Sequence, residues 1–74
     1  MTSEQPVGWG ILATGKIAHA FARDLAHVPG ARLAAVGSRR QTSADAFAAE
    51  HGAAAAHGSY EALVADPAVE VVYI

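Results

Sequence analysis

Gly10 to Ala18 reads G-I-L-A-T-G-K-I-A, and its spacing fits two kinds of phosphate chemistry. Taken as Gly10-x-x-x-x-Gly15-Lys16 it begins like the loop of a nucleoside triphosphatase; taken as Ala13-x-Gly15-x-x-Ala18 it follows the tight turn that carries the pyrophosphate of a dinucleotide. The first reading needs Ser or Thr directly after the lysine, because that hydroxyl binds Mg²⁺, and Ile17 stands there. Gly10 also falls inside an apolar run, so a long loop would consume strand residues. The second reading needs a tight turn, a glycine that admits the pyrophosphate and a small residue for close helix packing. Gly15 and Ala18 supply the last two, and Ala13 replaces the first glycine, which a negative φ at that position accommodates. A strand-to-helix turn without any ligand is the plain alternative. A Thr-Gly-x-x-x-Gly-x-Gly turn is not met, since His19 and Phe21 stand at its later glycines.

About 20 residues beyond such a turn, NAD-binding chains place an acid that accepts hydrogen bonds from the adenosine ribose, whereas arginine there suits the 2′-phosphate of NADP. This chain has Ser38-Arg39-Arg40, with Thr42 and Ser43 close behind. A guanidinium fork matches a phosphate monoester, so NADP is favoured and NAD is the alternative cofactor. A solvated basic loop is the bland reading of the same residues. The histidines, His19, His27, His51 and His57, lack the i, i+4 spacing of a metal pair and are read as surface or cap positions, so no metal site is assigned. Lys16, in the first helical turn, can add charge near a phosphate or face water.

These residues need elements to hold them. Val7 to Leu12 is a short apolar run suited to a strand buried on both faces. From Lys16 to Val28 the period is helical, with Ile17, Phe21, Leu25 and Val28 on one side and Lys16, His19, Arg23 and His27 on another; Pro29-Gly30 ends it. Arg32 to Ser38 predicts a second strand. Thr42 or Ser43 can cap a second helix, with Asp45 near its positive end and Gly52 at its stop. Ala53 to His57, bracketed by glycines, predicts a third strand, though its alanines equally suit a prolonged helix. Ser59 caps a brief helix through Ala65, Asp66-Pro67 turns the chain, and Val69 to Ile74 predicts a β-branched fourth strand.

The order β-α-β-α-β-α-β calls for an α/β fold with right-handed crossovers, half of a Rossmann-type doubly wound parallel sheet with strand order 3-2-1-4. Two helices then cover one face and the last helix covers the other. Residues 1–6 form a polar tail, and residues 7–74 the front of a dinucleotide-binding domain, because Ile74 is still inside an apolar run.

Composition bounds the rest. The apolar fraction is 53%, but nineteen of the 74 residues are alanine, which buries little area, so the expected core is small. A net charge of -2 gives no sign of nucleic acid or anionic membranes as partners. The absence of cysteine excludes disulfides, thiolate metal sites and a cysteine nucleophile. No apolar run approaches the ~20 residues of a membrane span, and Met1 to Pro6 lack the features of a secretory signal, so a cytoplasmic location is expected.

The W-G-I-L-A-T-G-K-I-A start, the L-A-A-V-G-S-R strand, the A-x-x-F-A-A-E-H-G helix and the H-G-S-Y-E-A-L-V-A-D-P-A-V-E-V-V-Y-I close together resemble the N-terminal half of the Gfo/Idh/MocA oxidoreductases, from Val7 to Ile74. The resemblance implies that Thr14, Gly15, Lys16 and Ile17 bind the cofactor pyrophosphate, largely through backbone N–H groups. Ser38, Arg39 and Arg40 would hold the adenosine 2′-phosphate, and Ile74 would begin the segment that approaches the nicotinamide. It also implies a parent enzyme, often a homo-oligomer, that moves hydride between NAD(P) and a sugar, polyol or related secondary alcohol. A Glu-Lys-Pro motif and a substrate domain would follow, so no catalytic residue is expected within this chain. A cofactor-binding sensor without turnover and a truncated product are the rival readings.

Overall fold

A computed structural model describes residues 7–12 and 15–74. The polar tail 1–6 and the pair Ala13-Thr14, including the pyrophosphate role expected of Thr14, lie outside the described residues. Strands and helices alternate as β1 (Val7–Leu12), α1 (Lys16–Leu25), β2 (Ala31–Gly37), α2 (Gln41–His51), β3 (Ala55–His57), α3 (Tyr60–Val64) and β4 (Val71–Tyr73). The strands pair in parallel in the order β3-β2-β1-β4, the expected topology. Among the described residues no helix is long and apolar enough to cross a membrane.

Alternation along β1 sends its side chains to two different layers. Ile11 points into a core with Val36 of β2, Ala18 and Ala22 of α1, and Ala44 and Phe47 of α2. Gly8 and Gly10 face the other layer, where a Cβ on Gly10 would press on Val69 and Leu63, and one on Gly8 would collide with the backbone carbonyl of Ala68. Gly37 likewise leaves room for Leu63, which is fully buried. A register shift between β1 and β2 pairs Trp9 with Leu33 but Gly10 with Ala35. The extra residue brings Leu33 and Val36, three apart, to the same core. Phe21 of α1 stacks on Tyr73 of β4 with ring centroids 3.9 Å apart and meets Trp9 of β1 at 5.5 Å, so α1 bridges the two strands.

Several boundaries differ from the sequence expectation for local reasons. Helix α1 ends at Leu25 because His27 N–H and Val28 N–H turn to Asp24 and Leu25 carbonyls, and the chain then enters Gly30 at φ 83°. Its buried stripe is Ala18, Ala22 and Leu25, while Ile17 is 72% exposed and Val28 49%. Alanine lets α1 lie close on the sheet. Strand β2 runs from Ala31 to Gly37, one residue earlier than expected at each end.

Helix α2 starts at Gln41 after an extended Arg40, with no side-chain cap, so neither Thr42 nor Ser43 caps it. Asp45 lies beyond the first turn and accepts from Gln41 Nε2 at 2.8 Å, while the same amide donates to the Ala56 carbonyl and ties α2 to β3. Gly52, at φ 76°, stops the helix as expected. Strand β3 begins only at Ala55, since Ala53 N–H bonds back to the Ala48 carbonyl at the end of α2. Strand β4 is confined to Val71–Tyr73, because Val69 is held in a turn by Asp66 and covers Gly10.

The last crossover is pinned by its own polar groups. Ser59 Oγ accepts from Ala62 N–H at 3.1 Å, the expected cap of α3. Gly8 N–H donates to Glu70 Oε1 and Glu70 N–H to the Gly8 carbonyl, fixing the approach to β4. Asp66 accepts from His57 Nε2 at 2.9 Å and from Ala68 N–H at 2.9 Å, joining the end of β3 to the turn before β4. His57 is therefore a structural donor and not a simple surface residue. These bonds, the His57 ring first and the Ala68 amide second, hold the Asp66 carboxyl below its ordinary value of 3.8.

A carboxyl whose folded pKa is depressed contributes stability above the ordinary value and loses it as pH falls through the folded value. The stability difference between the native chain and Asp66→Asn should thus be largest at neutral pH and shrink below pH 3.8. Urea unfolding across a pH series measures it, and a difference independent of pH would show that the carboxylate is not held by these bonds.

Candidate dinucleotide site

The parallel register sets the carboxyl ends of three strands side by side. Leu12 at the end of β1 pairs with Gly37 of β2, and Ile11 pairs with Tyr73 of β4. The chain leaves β1 into α1 on one face, whereas the crossover carrying α3 returns to β4 on the other. Between β1 and β4 the helices part, and a crevice outside the strand ends at such a switch point is where open α/β sheets take ligands.

A cavity of about 500 Å³ occupies this crevice, lined by Leu12, Gly15, Lys16, Ile17, Ala18, Tyr73 and Ile74. It brings together Gly15, Lys16, Ile17 and Ile74 from the set singled out in the sequence. Ile17, 72% exposed, and Ile74 give the mouth an apolar rim.

The N-terminus of α1 points into this cavity with its polar groups available. His19 N–H to the Gly15 carbonyl, at 3.1 Å, is a first-turn bond, so helix geometry leaves the N–H groups of Lys16, Ile17 and Ala18 without intrahelical acceptors. Gly15 is the N-cap and offers no side-chain oxygen, and the first turn contains no acid, in contrast to α3 with its Ser59 cap and Glu61. Among the described residues nothing offsets the positive end of the helix, and Lys16 adds an ammonium group in its first turn. Gly15 has φ -80°, open to any residue, and a Cβ built there meets nothing within 4 Å. Neither backbone conformation nor packing against the described residues requires glycine at this position. Its missing side chain leaves a bare cradle over the helix end, which fits a diphosphate.

Ser38, Arg39 and Arg40 follow β2 one strand over, at the same edge but outside the cavity lining. Arg39 and Arg40 are exposed; Ser38 is 8% exposed, its N–H bonded to the His57 carbonyl and its Oγ accepting from Arg40 N–H at 3.4 Å. The short turn thus aims two guanidinium groups outward from a fixed base. Thr42 is exposed, while Ser43 faces a different cavity between α1 and α2, apart from the arginines' side of the site. That second cavity exposes what spacing within one helix could not reveal: His19 and His51 meet across the helices, with Nδ1 and Nε2 2.7 Å apart. Their helix positions contain no signal of it, because the meeting depends on how α1 docks on α2, where Phe47 packs against both rings.

A family model for the oxidoreductase family with an NAD-binding Rossmann fold, Gfo/Idh/MocA, matches residues 7–74. The trans-1,2-dihydrobenzene-1,2-diol dehydrogenase of Danio rerio is 41% identical over 68 residues, covering 89% of this chain and 20% of that protein. Among solved structures, a 3-ketoreductase from Actinomadura kijaniata in complex with TDP-benzene and NADP matches with a TM-score of 0.88 and 27% identity, over 95% of this chain and 22% of that one. An NAD-binding oxidoreductase from Klebsiella pneumoniae matches with a TM-score of 0.81 and 29% identity, over 90% of this chain and 20% of that one. The chain spans about a fifth of the length of the relatives it matches. With a matching family model across its described length and a bare helix terminus at the switch point, the chain belongs to the Gfo/Idh/MocA oxidoreductases and forms part of their NAD-binding Rossmann unit.

Proposed function

We propose that this chain is the front of the dinucleotide-binding domain of an oxidoreductase, and that it takes NADP in preference to NAD. The observation that carries the reading is the N-terminus of α1, which has no side-chain cap among the described residues and is bare at Gly15, beside a pair of exposed arginines that follow the next strand. Lys16, Ile17 and Ala18 would present backbone N–H groups to the pyrophosphate, and Lys16 would add charge. Arg39 and Arg40 would hold the 2′-phosphate through charge-assisted hydrogen bonds, with the Ser38 hydroxyl as a further donor. The apolar rim of Ile17 and Ile74 would exclude water from the cofactor's path towards the nicotinamide side.

When bound, the nicotinamide supplies hydride transfer. This chain's residues would bind and orient the cofactor. The secondary alcohol acted on by the whole protein would be a sugar, a polyol or a related diol, a class supported by the diol dehydrogenase likeness. Both NAD and NADP occur among the similar structures, so the preference for NADP rests on the arginines and on the absence of an acid at the end of β2.

Two substitutions test the reading on the intact protein by calorimetry. Gly15→Val adds a side chain where the cradle is open, so it should weaken NADP and NAD alike by about 100-fold or more, while the melting temperature stays within a few degrees of native. Native affinity in that variant would show the turn to be only a turn. Arg39→Asp should lower NADP affinity by about 10- to 100-fold, the worth of one or two charge-assisted bonds, and reverse the preference towards NAD. An unchanged NADP to NAD ratio would remove Arg39 from the site.

A further inference from the structure

We infer that His19, Glu50 and His51 form a binding site for one divalent transition-metal ion, with Zn²⁺ the ion best matched to two imidazoles and a carboxylate. His19 comes from the first turns of α1, and Glu50 and His51 are the last two residues of α2. The nitrogens His19 Nδ1 and His51 Nε2 are 2.7 Å apart, and Glu50 Oε2 lies 3.8 Å from each. A point equidistant from these three atoms lies about 2.0 Å from each, within the range of Zn–N and Zn–O bonds.

The surroundings hold the donors in this arrangement. Phe47, 2% exposed, packs its ring against both imidazoles, with centroids 4.4 Å from His19 and 4.6 Å from His51. His51 is the anchored ligand, its side chain 7% exposed, whereas His19 at 29% and Glu50 at 59% have freedom to adjust. That freedom matters because metal-bound nitrogens stand farther apart than hydrogen-bonded ones. An adjoining cavity of about 230 Å³, lined by His19, Ser43, Ala46, Phe47 and Glu50, gives the ion an entry and leaves room for a water as fourth ligand. The C-terminal end of α2 adds partial negative charge on the same side.

Without an ion, the two imidazoles share one N–H···N hydrogen bond. Binding breaks it: the donating ring moves its proton to its outward nitrogen, the accepting ring already carries its proton there, and with protons on Nε2 of His19 and Nδ1 of His51 both facing lone pairs go to the metal. No net proton is released from the neutral pair. Glu50 leaves the site with a net charge of +1 when a divalent ion is bound. The ion would bind α1 to α2 and stabilise the folded chain by mass action.

The test uses the untagged protein and Zn²⁺ alone, in competition with a chromophoric chelator, together with nitrogen-detected NMR of the imidazole rings. Expected are a 1:1 complex, a rise in melting temperature with Zn²⁺, and protons fixed on His19 Nε2 and His51 Nδ1. Visible absorption of the Co²⁺ complex should show the bands of a four- or five-coordinate site. His19→Ala and Glu50→Gln, at partly exposed positions, should each weaken Zn²⁺ by roughly tenfold or more, whereas His27→Ala leaves it unchanged. A proton still shared between the two rings at saturating Zn²⁺, or equal affinity in His19→Ala, would overturn the site and leave a hydrogen-bonded pair.

Discussion

The backbone carbonyl of Ala68 occupies the space into which a side chain on Gly8 would project, and Val69 and Leu63 press in the same way above Gly10 and Gly37. Three glycines on adjoining strands thus let a crossover with only one short helix lie directly on the sheet. Larger residues there would force the crossover outward, and overpacking of that kind costs about 1–3 kcal/mol where the neighbours can yield at all. Because the crossover lies so close, the two-way hydrogen bonding between Gly8 and Glu70 can form, and β4 enters beside β1. The crevice between the two strands is a consequence of that approach.

Glycine serves a different purpose at the mouth of the crevice. Among the described residues a side chain on Gly15 would meet nothing within 4 Å, and Gly15 adopts a backbone conformation that any residue could share. The interior glycines are required by the fold, whereas Gly15 is spare as far as the fold is concerned. Its spareness coincides with an uncapped helix terminus and an exposed isoleucine. A fold-driven sequence would place a serine or aspartate at that cap and a polar residue at position 17. Both departures are at the end of the molecule where an anion would be held.

Much of this was legible in the chain itself. Val7–Leu12 has the bounds expected of an apolar run, and the alternating periods call for a parallel sheet with right-handed crossovers, for which the Rossmann-type order 3-2-1-4 is the one found. The Ala13-x-Gly15-x-x-Ala18 spacing pointed to the helix terminus, and Ser38-Arg39-Arg40 to the strand beside it. One departure originates in alanine. Ala18 and Ala22 form the buried stripe of α1, yet hydropathy patterning gives the stripe to Ile17 and Val28, which face outward. Gln41, bonding to Asp45 and the Ala56 carbonyl, made the start of α2 where Thr42 or Ser43 was the obvious cap. The pairing of His19 with His51 and of His57 with Asp66 depends on how elements dock, and periodicity within one helix holds no information about it.

The central claim is that the N-terminus of α1, at the point where the sheet changes direction, holds the pyrophosphate of the cofactor. Amide-resolved NMR during titration with NADP tests it most directly, since the proposed contacts are backbone N–H groups. The account predicts that the largest shifts fall on Gly15 to Ala18, with a second set at Ser38 to Arg40 that is lost when NAD replaces NADP. Shifts concentrated at the C-terminal end of α2 or along α3, with Gly15 to Ala18 unmoved, would contradict it.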